Sequence, residues 1–192
     1  MSEKWDRRFI DLALHISGWS KDPSTKVGCV VVGSDREIRS TGFNGFPRGI
    51  ADSIERLEDR ELKYPLICHA EENAIMHAAR IGISLKDCTA YVTWPPCTRC
   101  ARSLIQAGVV EVVYPGDIQI PDRWVEDFDR SLSMMQEAGV IVRPGQIIEV
   151  ADPVRSGSHV GGRVTSATTS AITVDDIRDV TYSSTTTPFL SI

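Results

Sequence analysis

The chain has 192 residues and a formal net charge of −5, from 21 basic and 26 acidic side chains. Its composition, 42% hydrophobic and 24% charged, is that of an ordinary globular protein. An acidic chain lacks the electrostatic footprint that long nucleic acid requires, although a small anion needs only a local basic pocket. No apolar run approaches the roughly 20 residues that span a bilayer, and the charged N-terminus is unlike a secretory signal. We therefore expect a cytoplasmic protein with neither membrane nor long nucleic acid as a partner.

The first third of the chain predicts a helix followed by a β-hairpin. Apolar residues recur at helical spacing between Trp5 and Ile16, which predicts a helix over residues 3–18. A short apolar run at residues 27–32 predicts a buried strand, and residues 37–43 predict its antiparallel partner. The next segment is rich in glycine, proline and charge and predicts a long loop over residues 44–67, with room for one short helix.

Helices and strands alternate in the second half of the chain. The predicted elements are helix 69–80, strand 89–93, helix 97–107, strand 109–114, helix 124–138 and strand 140–142. Such alternation indicates a layered α/β fold in which the later strands are parallel.

The composition changes near residue 150. Residues 151–192 are dense in serine and threonine and contain neither lysine nor cysteine. We expect one domain over residues 1–150 and a C-terminal extension over residues 151–192. The extension is interpreted as flexible or loosely docked, with an added edge strand or a subunit contact as alternatives.

Two short motifs carry the chemistry. Cys97 and Cys100 form a C-x-x-C pair, which in a cytosolic protein more often binds metal or performs redox chemistry than forms a structural disulfide. His69 and Glu71 stand at the start of another predicted helix, so both motifs can meet at one edge of the sheet. Two thiolates and one imidazole make a three-ligand set for Zn²⁺ that leaves the fourth position for water, as in catalytic zinc sites. Glu71 is then the candidate for moving the proton.

Two other interpretations of these motifs are weaker. A structural zinc site with Cys68 or Cys88 as fourth ligand would leave Glu71 without a purpose, and a redox C-x-x-C pair would leave both His69 and Glu71 unexplained. Residues i and i+2 point about 200° apart on an ideal helix. His69 must therefore lie at the first helical residue or at the cap for its side chain to approach Glu71.

H-x-E followed by P-C-x-x-C is a known signature of zinc nucleobase deaminases. Beyond these motifs, further segments of the chain resemble deoxycytidylate (dCMP) deaminases in one register between about residues 4 and 142. They are S-K-D-P at 20–23, V-G at 27–28, G-F-N-G-F-P at 42–47, Y-P at 64–65, C-H-A-E-E-N-A-I-M at 68–76 and I-Q-A-G at 105–108. The resemblance implies a three-layer αβα cytidine-deaminase fold with a central mixed sheet of about five strands. It also implies a homohexamer and hydrolysis of dCMP to ammonia and dUMP, a precursor for thymidylate synthesis.

The resemblance also assigns roles to residues of the catalytic site. It makes His69, Cys97 and Cys100 the ligands of one catalytic zinc ion per chain and Glu71 the proton shuttle. Some relatives hold a second zinc in an inserted loop, but residues 44–67 contain no cysteine or histidine.

Contacts with the substrate and with effectors follow from the same resemblance. Asn44 would contact the sugar, Ser24 and Lys26 would lie near the phosphate, and Trp124 is the nearest candidate to stack on the base. The effector site, formed by Gly42, Phe43, Asn44 and Gly45, would take dCTP as activator and dTTP as inhibitor, each with Mg²⁺. Phe43 stands where the family usually has a tyrosine.

Three alternatives share parts of this pattern. A deaminase acting on free cytidine, or on a base within RNA or DNA, would carry the same zinc motifs. A catalytically silent nucleotide sensor would keep only the effector site, and the intact histidine, glutamate and cysteines argue against it.

Overall fold

The computed structural model describes residues 2–145, which form a five-stranded mixed sheet between helices. The strands are Gly28–Val32 (β1), Ile38–Phe43 (β2), Thr89–Val92 (β3), Glu111–Pro115 (β4) and Ile141–Gly145 (β5). The helices of these residues are Glu3–Ser17 (α1), Ile54–Glu58 (α2), Arg60–Leu66 (α3), Ala70–Ile81 (α4), Thr98–Gln106 (α5) and Asp122–Glu137 (α6). The predicted extension, residues 151–192, lies outside the described residues.

The strands lie in the order β2-β1-β3-β4-β5. The hairpin of β1 and β2 is antiparallel, β1 also pairs antiparallel with β3, and β4 is parallel to both β3 and β5. This topology confirms the predicted mixed sheet with an antiparallel start and parallel later strands.

Alternating side chains of the central strands bury the two faces of the sheet. On β1, Val30 and Val32 pack with Phe9 and other residues of α1, whereas Cys29 and Val31 belong to the core under α4, α5 and α6. These four residues are fully buried, as expected for a central strand covered on both sides. Helices therefore cover both faces, which confirms the three-layer αβα architecture.

Gly42 allows β2 to lie directly against α4. A Cβ atom at this position would come within 2.2 Å of the Ala70 carbonyl oxygen and 2.4 Å of the Ala74 nitrogen. Both are backbone atoms of the helix and cannot move aside, so only glycine fits. Because α4 begins just after His69, this close contact also fixes the height of the histidine relative to the sheet.

A buried polar network joins α1 to the parallel strands. Asp6 is 2% exposed, and its carboxylate accepts hydrogen bonds from the Tyr91 hydroxyl at 2.7 Å and from Arg143 Nη1 at 2.8 Å. Nε of the same arginine donates to Glu111 Oε1 at 2.7 Å. Burial and the neighbouring Asp6 raise the pKa of Tyr91, so its hydroxyl keeps the proton that it donates.

The segment predicted as a long loop contains two short helices, α2 and α3, rather than one. The second begins after Asp59, whose Oδ1 accepts hydrogen bonds from the backbone of Glu61 and Leu62 at 2.9 and 3.4 Å. Pro65 lies inside the last turn of this helix, and its presence favoured the loop interpretation. No helix within residues 2–145 is long and apolar enough to cross a membrane.

Candidate active site

Three potential metal ligands converge at one edge of the sheet. One donor atom from each of His69, Cys97 and Cys100 can be chosen so that all lie within 4.8 Å of one another. His69 Nδ1 is 3.4 Å from the Sγ atom of both cysteines. Two sulfurs and one imidazole nitrogen match the donor preference of Zn²⁺, so the residues present fit a three-ligand zinc site. Within residues 2–145, neither Cys68 nor Cys88 joins the cluster as a fourth ligand.

Helix starts bring these ligands together. His69 is the N-cap residue of α4 and Cys97 is the N-cap residue of α5, both with extended backbone conformation. Of the two positions predicted for His69, the first helical residue or the cap, the structure shows the cap. Cys100 lies one turn inside α5 and is fully buried. The N-terminal end of a helix favours negative charge, so the dipole of α5 stabilises a thiolate at its start.

The two thiols have opposite shifts in pKa. A hydrogen bond from Cys100, with a further contribution from His69, lowers the pKa of Cys97 to about 4 despite partial burial. The resulting thiolate and burial raise the pKa of Cys100, while the hydrogen bond to Cys97 raises that of His69. Without a metal ion, Cys97 is therefore the cysteine of this pair that loses its proton first. A bound dication would favour deprotonation of the second thiol as well.

Glu71 is buried beside the cluster, with 3% of its surface exposed. Desolvation raises its pKa to about 7, although the nearby His69 acts in the opposite direction. A carboxyl group in this environment can both take up and release a proton near neutral pH.

A salt bridge ties together the two helices that carry the ligands. The His69 backbone N–H donates to Glu72 Oε2 at 3.0 Å, and Arg99 Nε lies 2.7 Å from Glu72 Oε1. Glu72 belongs to α4 and Arg99 to α5, so the pair fixes the two helix starts relative to each other.

The cluster opens into a cavity of about 540 Å³. His69, Glu71 and Cys97 form part of its wall. The predicted substrate residues Ser24, Lys26, Asn44 and Trp124 line the same cavity. The structure therefore brings the proposed proton shuttle, two of the predicted ligands and every predicted substrate contact around one space.

Of the four predicted effector residues, only one lines this cavity. Asn44 lines the cavity, but Gly42 is buried beneath α4. The Phe43 carbonyl accepts a hydrogen bond from Asn73 Nδ2 at 2.8 Å, and its ring lies edge-on to that of Trp19 at 6.1 Å. Gly45 pairs with Cys68 through two backbone hydrogen bonds. None of these three lines the described cavity.

Asn44 anchors the loop that precedes β1. Its Nδ2 donates to the Thr25 carbonyl at 2.9 Å and to Asp22 Oδ2 at 3.3 Å, while its Oδ1 accepts from the Val27 N–H at 2.8 Å. These contacts fix the segment between Asp22 and Val27, on which Ser24 and Lys26 lie. Asn44 thus has a clear structural role beside the predicted contact with a sugar.

Sequence reasoning missed a buried ion pair in the cavity wall. Lys63 Nζ lies 2.8 Å from Asp22 Oδ1, and both side chains are more than nine-tenths buried. The same Asp22 oxygen accepts the Ser24 N–H at 2.8 Å. No local pattern could reveal this pair, since its partners are 41 residues apart. Lys63 neutralises Asp22, and the ordering of the neighbouring loop depends on both.

The cavity wall also contains basic residues other than Lys63, which pairs with Asp22. They are Lys26, Arg60 and Arg123, and none of them forms a salt bridge with another residue of the part of the chain that the structure describes. Arg123 instead lies over the ring of Trp124, 5.9 Å from its centroid. The cavity therefore carries positive charge that can meet an anionic ligand, despite the net negative charge of the whole chain.

Comparisons with known proteins agree with this geometry. Residues 3–115 match the family described as the cytidine and deoxycytidylate deaminase zinc-binding region. A deaminase from Aliivibrio fischeri, described as uncharacterized, is 43% identical over 143 residues, which cover 74% of this chain and 94% of that protein. Human deoxycytidylate deaminase is 39% identical over 119 residues, covering 59% of this chain and 66% of the human protein.

A solved structure extends the similarity to the fold. The dCMP deaminase of cyanophage S-TIM5, crystallised in complex with dCMP and dUMP, is 27% identical with a TM-score of 0.62. The match covers 75% of this chain and 98% of the phage protein. With its family match over more than half of its length and its histidine–cysteine cluster in place, the chain belongs to the zinc-dependent cytidine and deoxycytidylate deaminase family.

Proposed function

We propose that the protein hydrolyses dCMP to dUMP and ammonia. The observation that carries this proposal is that a three-ligand zinc site opens into a cavity whose wall also holds a buried carboxyl group and basic side chains that form no salt bridge within residues 2–145. The names of the relatives support it, since several are deoxycytidylate deaminases and one was crystallised with dCMP and dUMP.

The residues divide the chemistry between them. His69, Cys97 and Cys100 would hold zinc, which when bound supplies a Lewis acid that lowers the pKa of water. Glu71 accepts a proton from the attacking water on its carboxylate and delivers it to N3 of the pyrimidine. The regenerated carboxylate then takes the second proton from the hydroxyl group now on C4 and delivers it to the exocyclic amine, which leaves as ammonia as the C4=O bond forms. Glu71 both accepts and donates protons in this scheme. Its burial keeps the transferred proton between water and substrate rather than in exchange with bulk solvent.

Binding of the nucleotide is assigned to the rest of the cavity wall. We assign Ser24 and Lys26 to the phosphate, Asn44 to the sugar and Trp124 to the face of the base. Arg60 and Arg123 line the same cavity and add positive charge for a phosphate monoester.

A comparison of substrates tests the proposal. We expect kcat/KM for dCMP to exceed that for deoxycytidine by about 100-fold or more, because charged hydrogen bonds to the phosphate each contribute about 1.5–3 kcal/mol. Single-stranded DNA should be a poor substrate. The measurement is ammonia release with each of the three compounds at equal concentration.

The variant Lys26→Gln provides a control for that comparison. It should lower kcat/KM for dCMP and leave that for deoxycytidine nearly unchanged. A preference for deoxycytidine or for single-stranded DNA would favour the other deaminase classes. Absence of ammonia from all three compounds, with zinc bound, would favour a nucleotide sensor.

The finer properties of the family complete the proposal. They are activation by dCTP and inhibition by dTTP, each with Mg²⁺, together with assembly as a homohexamer in the cytoplasm. The resemblance of residues 42–47 supports the effector assignment. Gly42 touches the backbone of α4, which begins next to His69, so an effector that displaced this segment would also disturb the metal site.

Steady-state kinetics test the regulation. The rate should depend sigmoidally on dCMP concentration, and dCTP with Mg²⁺ should make the curve hyperbolic, because an activator favours the state that binds substrate. dTTP with Mg²⁺ should shift it to higher dCMP concentrations. A hyperbolic curve that neither nucleotide changes would contradict the proposal.

A further inference from the structure

Helix α5 begins with a metal ligand at the position where a helix usually carries its capping side chain. Cys97 is the N-cap residue, but its side chain makes no capping hydrogen bond, and its Sγ lies 3.4 Å from His69 Nδ1 instead. The first N–H groups of a helix have no partner within the helix. A cysteine that binds metal therefore leaves these groups to be capped by another residue.

Asp127 supplies that cap from a different helix. Its Oδ2 accepts the Thr98 backbone N–H at 3.0 Å, and its Oδ1 accepts the Thr98 hydroxyl at 2.8 Å. Thr98 is the first residue of α5 and follows Cys97 directly. The first bond therefore holds the peptide group that joins Thr98 to the ligand, and the second holds the Thr98 side chain. A carboxylate at a helix N-terminus is favoured by the helix dipole as well as by the hydrogen bonds.

The same face of α6 reaches the cavity. Arg123 and Trp124 precede Asp127 by four and three residues, which places all three side chains on one side of the helix. All three line the cavity. Asp127, which caps α5, therefore lies on the same helix face as two residues of the proposed nucleotide site.

We propose that Asp127 is a positioning residue that caps α5 in place of Cys97 and so holds the Cys97 thiolate towards His69. We further propose that it couples the α6 wall of the cavity to the metal ligands, so that a nucleotide in the cavity slows release of the metal. The first part stands on the hydrogen bonds alone, and only the second rests on the proposed function.

Zinc release tests the capping role. The full chain is loaded with zinc, and transfer of the metal to a chromophoric chelator is followed for the wild type, Asp127→Ala, Asp127→Asn and Thr98→Val. Asp127→Ala should release zinc about 10-fold faster or more, as expected when a residue that supports a ligand is lost. The other two variants can each keep one of the two hydrogen bonds and should show smaller increases. Asp129→Asn, an exposed change on the same helix, should behave as the wild type.

A spectroscopic measurement separates positioning from general stability. In the cobalt-loaded protein, the sulfur-to-cobalt charge-transfer absorption should change in Asp127→Ala and not in Asp129→Asn, well below the unfolding temperature of each. A variant that is only less stable would keep the wild-type spectrum. Zinc release and a cobalt spectrum in Asp127→Ala that match those of the wild type would overturn the capping role.

Addition of dCMP tests the coupling. Saturating dCMP should slow zinc release from the wild type and have a smaller effect in Asp127→Ala. An equal effect in both proteins, or no effect in a wild type that deaminates dCMP, would overturn the coupling. A wild type that releases no ammonia from dCMP, while Asp127→Ala still loses zinc faster, would contradict the proposed function and leave the cap intact.

Discussion

Glu71→Gln should abolish deamination of dCMP while the protein keeps its zinc. The amide has nearly the shape of the carboxyl group but cannot take a proton from water and pass it on. General acid–base catalysis contributes about 100- to 10,000-fold per step, and Glu71 is assigned to more than one transfer, so we expect kcat to fall by at least about 1,000-fold. The measurement is ammonia release from dCMP alongside zinc content by atomic absorption.

A matched control shows whether the effect is local. Glu137→Gln makes the same chemical change at an exposed position, the last residue of α6, and should keep full activity. Glu71→Asp keeps the carboxyl group and shortens its reach, so it should retain more activity than Glu71→Gln. Wild-type turnover by Glu71→Gln would remove Glu71 from the proposed mechanism.

Cys100→Ser should lose most of its zinc and, with it, more than about 100-fold in activity, since even residues that only support a metal ligand cost 10- to 100-fold when replaced. A serine hydroxyl stays protonated near neutral pH and is a poor zinc ligand, whereas thiolate sulfur is a preferred one. Zinc per chain is measured after dialysis against a weak chelator, and activity is measured on the same sample.

Cys88→Ser separates loss of the metal from disturbance of the core. Cys88 is buried like Cys100, with 2% of its surface exposed, and it belongs to the hydrophobic core beneath α4 and α5. The variant should show a lower melting temperature and unchanged zinc per chain. Equal zinc loss from Cys88→Ser and Cys100→Ser would mean that the metal depends on general packing rather than on a ligand at Cys100.

The parts of the fold that depend on short-range patterns could be predicted from the sequence. Burial of every residue of β1 follows from a continuous apolar run. The helix α4 could be predicted from a segment rich in alanine and glutamate, and α5 from the two prolines that end the strand before Cys97. The second helix of the loop segment was missed because Pro65 suggested a break, although Asp59 followed by Glu61 was a start signal.

The support around the site could not be predicted, because its contacts join distant parts of the chain. Asp22 meets Lys63 across 41 residues and Asp127 meets Thr98 across 29, and no periodicity or spacing rule connects such pairs. The packing role of Gly42 could not be predicted for the same reason, because its contact with α4 joins distant parts of the chain. The effector site at residues 42–45 stays a prediction beside that role.

The network around Asp6 has a consequence for how the chain can be synthesised and shortened. Arg143 and Asp6 are 137 residues apart in the sequence. During synthesis, the Asp6 carboxylate can therefore pair with the Arg143 guanidinium only after all five strands of the sheet have been made. Any shortened form that ends before Arg143 would leave the charge of Asp6 without this partner beneath α1, which costs several kcal/mol when a buried pair loses one member. The N-terminal helix therefore depends on β5, and a truncation that removes Arg143 should destabilise the packing of α1 on the sheet.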